Sequence, residues 1–229
     1  MVLEGLSVNL RCLQLNFFKA LMVCAVLGML SLGLGGCSVT GALKGAFSNT
    51  TPANTYDLVV DRSAIKRSSR LGTQLVVATP VAVKVLAGEN ILVKPSPNQV
   101  NYYGGAVWGD RLPKLLQARI VDAVRETGRF RAVSDGSDRI KGDVTLSTTI
   151  EAFQIEVQGE RAAAHIICHA KLIHVESGKV YASRRFTEQM PASNREVEAG
   201  VEALNRAMNA MLVDMTRWIV RRGRLRLGG

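Results

Sequence analysis

The chain has 229 residues, 47% of them hydrophobic and 5% aromatic, which suits one domain with an aliphatic core and is too little for two. With 29 Lys and Arg against 19 Asp and Glu the formal charge is +10, a balance that points first to nucleic acid. The cysteines Cys12, Cys24, Cys37 and Cys168 contain no C-x-x-C pair, which argues against a structural zinc site of the usual spacing.

Arg11 and Lys19 stand ahead of an apolar run, Ala20–Leu34. The run has the length of a signal-peptide core and falls short of the roughly 20 residues a membrane span needs. It ends in Leu34-Gly35-Gly36-Cys37, the lipobox pattern of leucine, two small residues and cysteine. Small residues admit the backbone to the peptidase. The thiol accepts diacylglycerol, and cleavage between Gly36 and Cys37 then frees an amine for a further acyl chain. Gly33, Gly35 and Gly36 weaken a helix here, which favours a cleaved leader over an anchor helix.

Residues 1–36 therefore read as a lipoprotein signal peptide. Burial of acyl chains at about 0.8 kcal/mol per methylene makes two or three of them a permanent anchor. An aspartate after the cysteine commonly retains such proteins in the inner membrane. Ser38 points instead to the outer membrane, facing the periplasm. That compartment removes nucleic acid from the expected partners. With Cys37 lipidated, Cys168 is alone and no intramolecular disulfide can form. Residues 37–55 are small, polar and aperiodic, a lipidated tether with a reach of roughly 60 Å when extended.

The folded part is expected to begin with a strand at Tyr56–Val60 and a basic loop over Arg62–Arg70. Gln74–Val85 is β-rich, interrupted at Pro80. Asn90–Lys94 and Gln99–Tyr103 read as strands about the turn Pro95–Asn98. Asp110 can cap a helix that tolerates Pro113 in its first turn. Leu112, Leu115, Leu116, Ile120, Ala123 and Val124 make its apolar face, and Gly128 stops it. Phe130–Val133 leads to the turn Asp135–Asp138.

Asp143–Val157, Arg161–Val175 and Lys179–Phe186 alternate as an antiparallel meander around the turns Gln158-Gly159 and Glu176–Gly178. Ser193 and Glu196 have capping-box spacing. Beyond them Val197, Val201, Leu204, Met208, Met211, Met215 and Trp218 or Ile219 mark an amphipathic helix of roughly 40 Å. The expected class is α+β: a mixed, largely antiparallel sheet with two long amphipathic helices packed on one face.

His165, Cys168 and His169 suggest a metal site. On a strand, however, the two histidines lie roughly 13 Å apart on one face and Cys168 points to the other. No metal, cofactor or catalytic residue is expected, since no nucleophile elbow, phosphate loop or His-Glu-x-x-His helix is present. Cys168 reads as a buried small hydrophobe. Gly104-Gly105 reads as a loop into the first helix. Trp108 is either packed over the sheet or, with Tyr102 and Tyr103, an exposed aromatic contact for a partner. The methionines Met208, Met211 and Met215 could cradle acyl chains, though core packing is the favoured reading of such spacing. Five arginines in Arg217–Arg226, among them Arg221 and Arg222, suit anionic lipid headgroups or an acidic partner, set against a merely solvated basic end.

A series of short motifs follows lipobox Cys37 in order. It comprises Tyr56-Asp-Leu, Val100-Asn-Tyr-Tyr103 leading to Trp108, Leu112-Pro-Lys-Leu-Leu-Gln117 and Gly128-Arg-Phe-Arg-Ala-Val133. Ile150-Glu-Ala-Phe153, Lys179-Val-Tyr-Ala-Ser-Arg-Arg-Phe186 and a closing alanine-rich helix ending near Trp218 complete it. In this series the chain resembles the ABC-type transport auxiliary lipoproteins, the paraquat-inducible protein C group. The resemblance places the family domain at 56–222 and leaves 223–229 as a basic tail.

It implies a non-enzymatic outer-membrane lipoprotein that works with an MCE-domain protein and, through it, an ABC permease and ATPase. Such systems move phospholipids or other hydrophobic substrates between membranes. A lipoprotein that carries lipid or another ligand itself is the alternative.

Overall fold

The computed structural model describes residues 52–139 and 141–222. In chain order the elements are β1 (Asn54–Tyr56), β2 (Gln74–Val77), β3 (Val81–Ala82), β4 (Asn90–Ser96), β5 (Gln99–Trp108), α1 (Leu112–Glu126), β6 (Ala132–Ser134), β7 (Val144–Gln158), β8 (Arg161–His174), β9 (Val180–Pro191) and α2 (Val197–Arg222). Short 3-10 turns cover Arg62–Ala64 and Lys84–Leu86.

The strands form one mixed sheet organised on β7. Along one edge β7 pairs antiparallel with β8 from Val144↔His174 to Gln158↔Arg161, and β9 continues the meander. Along its other edge three short strands take turns, all parallel to it: β2 at Leu75↔Val144, β3 at Val81↔Thr149 and β4 at Val93↔Ile155. Beyond β2 lies β6; beyond β4 lies β5, and then β1 parallel to β5. The sheet is therefore mixed, its two longest ladders antiparallel, as the alternation of the last three strands implies.

Alternation decides which face is buried. In β8 Ala162, Ala164, Ile166, Cys168, Ala170 and Leu172 all face the core. In β7 the even positions Val144, Leu146 and Ile150 do so, and then the inward set shifts to Phe153 and Ile155. A β-bulge between Ile150 and Ala152 accounts for the shift, because one extra residue reverses the parity of all that follow. The helices close this face with the stripes their spacing marks: Leu112, Leu116, Ile120 and Val124 from α1, and Leu204, Met208, Met211 and Met215 from α2, all within the continuous core. At Gly128 the chain turns with φ +61°, the left-handed conformation of a residue just past a helix end.

Several boundaries differ from expectation. The first strand is Asn54–Tyr56, not 56–60. β5 continues past Gly104-Gly105 to Trp108: the glycines sit in an irregularity of the β5–β4 ladder, Gly105 with φ +67°, and pairing resumes beyond them at Ala106–Trp108 with β1 and Val107 with β4. Asp110 does not cap α1. Arg111 occupies the cap position, and the Asp110 carboxylate accepts from the adjacent Arg111 N–H at 2.6 Å. The capping box at α2 is replaced by an Asn194 turn, whose side-chain oxygen accepts from Glu196 N–H at 2.8 Å.

Candidate functional site

The two ends of α2 carry the polar features of the molecule that the core does not explain. At its leading end the chain between β1 and the first 3-10 turn runs extended along the helix. Asn205 and Asn209, one turn apart, treat that segment as a strand would. Asn205 Oδ1 accepts from Val59 N–H at 2.8 Å, and its Nδ2 reaches Asp57 O at 3.4 Å. Asn209 Oδ1 accepts from Asp61 N–H at 2.7 Å, and its Nδ2 donates to Val59 O at 2.8 Å. Primary amides offer a donor and an acceptor side by side, which is what an extended backbone requires. Leu58 beneath is fully buried, whereas Val59 is 66% exposed over a groove of about 680 Å³ also lined by Val60 and Val201.

Carboxylates surround this fastening. Tyr56 Oη donates to Glu198 Oε1 at 2.8 Å; the bond raises the phenol's pKa and holds the Glu198 carboxyl below its ordinary range. The Ser63 hydroxyl and N–H, at 2.6 and 3.0 Å, likewise hold Asp61 low. Arg119 pairs with Asp57 at 3.3 Å, and Arg206 with Glu202 at 2.7 Å.

The aromatic residues divide. Trp108 is 2% exposed and packs edge-on against Phe153, with centroids 6.1 Å apart. It is a core residue: of the two readings the sequence offers, the packed one holds and the partner-facing one does not. Tyr103 is half-buried beneath the start of α2, where its hydroxyl donates to Arg195 O at 3.2 Å. Burial first, and then Glu196 and Glu198, raise its pKa. Gly200 makes that approach possible, since a Cβ there would lie 2.8 Å from the Tyr103 oxygen. Tyr102 remains exposed, its hydroxyl 3.5 Å from Val85 O.

At the trailing end the last turns of α2 meet residues 66–68. Lys66, Arg67, Ser68, Arg217, Val220 and Arg221 line a cleft of about 310 Å³. On the other side of the helix, Arg184, Arg221 and Arg222 line a second one of about 490 Å³. Arg184 is held there by Asp214 and by the Phe186 ring 4.9 Å away. Arg221 and Arg222 are exposed, and Arg221 serves both clefts.

Cys168 points into the core, and burial pushes its thiol up to about 12, so it is protonated and unreactive at neutral pH. His165 and His169 lie on the opposite face of β8. There His165 Nδ1 meets Glu156 Oε1 at 2.8 Å and His169 pairs in register with Thr149. Among the described residues no three of His, Cys, Asp or Glu gather as they would around a metal ion. No helix among them is long and apolar enough to cross a membrane. Gly36 and Cys37 lie outside the described residues.

The sequence profile of the family described as ABC-type transport auxiliary lipoprotein component matches residues 56–216. The chain belongs to that family. Protein bll6063 of Bradyrhizobium diazoefficiens is 28% identical over 166 residues, 72% of this chain and 44% of that protein, so the chain matches less than half of that relative's length. The crystal structure of protein XCC0632 from Xanthomonas campestris is 27% identical and superposes with a TM-score of 0.69, covering 75% of this chain and 97% of that one. A further crystal structure, 19% identical with a TM-score of 0.59 over 73% of this chain and 99% of its own, shares the fold.

That family is described as an auxiliary lipoprotein component of ABC-type transport. The family match includes the asparagine fastening and stops at Thr216, one residue before the trailing arginines. Sequence reasoning overlooked Asn205 and Asn209. Their signal was present: two poor helix formers at i, i+4 inside a long helix need a reason. It also overlooked Lys66 and Arg67 as companions of Arg217 and Arg221, for which 150 intervening residues leave no signal.

Proposed function

We propose that the protein is a non-catalytic accessory lipoprotein that docks an ABC/MCE-type intermembrane transport system at the outer membrane, the cargo being phospholipid or another hydrophobic substrate. One observation carries the reading: the domain matched by the auxiliary-component family begins at Tyr56, where the chain leaving the Cys37 tether is fastened to α2. A docking component needs a firm link between its lipid and its folded surface. The fastening at Asn205 and Asn209 supplies one.

Packing favours docking over cargo carriage. Met208, Met211 and Met215, the stripe best suited to cradle acyl chains, are 0–1% exposed and filled in by the sheet. The partners are an MCE-domain protein and, through it, a permease and ATPase. The lipidated protein, captured from mildly solubilised envelopes of its own organism after crosslinking, is expected to bring down an MCE-domain protein. Repeated capture of the intact bait with no MCE-domain protein would sink the docking role. Stoichiometric lipid extracted from the purified domain would favour the carrier reading instead.

A further inference from the structure

The cleft at the trailing end of α2 is lined by exposed cations, and among the described residues no acidic side chain lines it. Its lining holds four cations, Lys66, Arg67, Arg217 and Arg221, with the Ser68 hydroxyl and the apolar edge of Val220, and no carboxylate. Arg67 alone of the four has an ion-pair partner among the described residues, Glu126 at 3.4 Å. Basic residues in a last helical turn complement the helix dipole, which accounts for Arg221 and Arg222. It does not account for Arg217, or for Lys66 and Arg67 converging from another part of the chain.

The second wall is held in place. Ser68 N–H donates to Thr127 O at 2.8 Å, and Leu71 N–H to Arg129 O at 2.6 Å. Arg129 Nη1 in turn donates to Ser69 O at 2.7 Å. Exposed cations gathered around one cleft repel one another, and an anion placed between them relieves that repulsion while collecting charge-assisted hydrogen bonds.

We propose that this cleft holds the phosphate of an anionic phospholipid headgroup at a membrane surface. Its size and chemistry suit a phosphodiester: guanidinium groups for the phosphoryl oxygens, a serine hydroxyl, and an apolar edge where the glycerol backbone would begin. Position permits it too. Arg217 lies about 30 Å along α2 from Glu198, where the chain is fastened to Tyr56, a distance shorter than the roughly 60 Å that residues 37–55 could span at full extension. The contact is independent of MCE docking and stands if that reading fails.

The test uses the full mature chain carrying Cys37→Ser, so that no covalent lipid masks binding, with vesicles of phosphatidylcholine containing about a third phosphatidylglycerol. The chain should cosediment with these and not with phosphatidylcholine alone. Both R217E/R221E and K66E/R67E should weaken binding at least about tenfold, whereas K114E/K171E, an equal charge change at exposed sites elsewhere, should weaken it less than about threefold. Matching circular dichroism and melting would confirm that each variant folds. Equal losses in all three variants would mean bulk charge and overturn the proposal. Displacement from vesicles by inorganic phosphate equimolar with the lipid phosphate would assign the cleft to free phosphate, and binding of polyglutamate in place of vesicles would assign it to an acidic protein. Either result would also overturn it.

Discussion

The two ends of α2 are built from the same helix and solve opposite problems. At the leading end the polar side chains that meet the helix find partners within the chain: the asparagine amides in the backbone of residues 57–61, Glu198 in Tyr56, Glu202 in Arg206. At the trailing end Lys66, Arg217 and Arg221 converge without a carboxylate among them. The first arrangement spends its hydrogen-bonding capacity on the fold. The second leaves it for something outside. The role proposed above would call for both, a secure join to the segment that follows Cys37 and a surface that remains unsatisfied until a partner or a membrane arrives.

The largest effect should come from cutting the leading end off from its membrane. Cys37→Ala is expected to move the protein from the membrane to the soluble fraction of the envelope. Fractionation that still finds it membrane-bound would mean the trailing cations or a partner suffice for attachment, and would reverse the roles assigned to the two ends.

Next in size is the fastening itself. Asn205→Ala with Asn209→Ala removes three short hydrogen bonds to the segment, each worth about 1 kcal/mol, and gains helix propensity of at most about 0.7 kcal/mol per site. Hydrogen bonding wins, and a net loss of about 2 kcal/mol is expected in denaturant melts. Amide exchange at Val59 and Asp61 should speed up selectively. R217E/R221E at the other end should cost no more than about 1 kcal/mol, chiefly through Arg221 at the helix C-terminus. Comparable losses at both ends would show that the trailing arginines also belong to the fold.

What was legible in the sequence follows the range of the interaction. The meander β7–β9 and both helix stripes repeat locally, so period counting finds them, and Cys168 falls on the inward side because its strand alternates without interruption. The bulge at Glu151 is invisible to such counting, since an inserted residue changes parity without changing composition. Gly104 and Gly105 suggest a loop because glycine disfavours strands, yet they form an irregularity inside β5, whose pairing resumes beyond them with β1 and β4. The parallel pairings of β2, β3 and β4 with β7 join segments far apart in the chain, where only the assembled sheet selects partners. The same distance hid both ends of α2: each is one stretch of helix completed by residues from the first part of the domain.

Acid offers the finest separation of the two ends. Asp61 and Glu198 both have carboxyl pKa values depressed in the folded protein, the first by the Ser63 hydroxyl and N–H and the second by the Tyr56 hydroxyl. A depressed carboxyl binds its proton more weakly folded than unfolded. Its contribution is therefore complete above the ordinary carboxylate range and is lost as pH falls through the lower folded values. Amide exchange at residues 59–61, compared with the rest of the domain, should therefore rise as the solution is acidified below that range. Both groups are solvent-exposed, so the change should be the smallest of the three. Glu198→Gln should remove its own part of the pH dependence, since the amide does not titrate, while leaving the asparagine bonds in place. If acidification loosens residues 66–68 and the end of α2 as much as residues 59–61, the leading end has no carboxylate-dependent fastening of its own, and the contrast between the ends rests on the arginines alone.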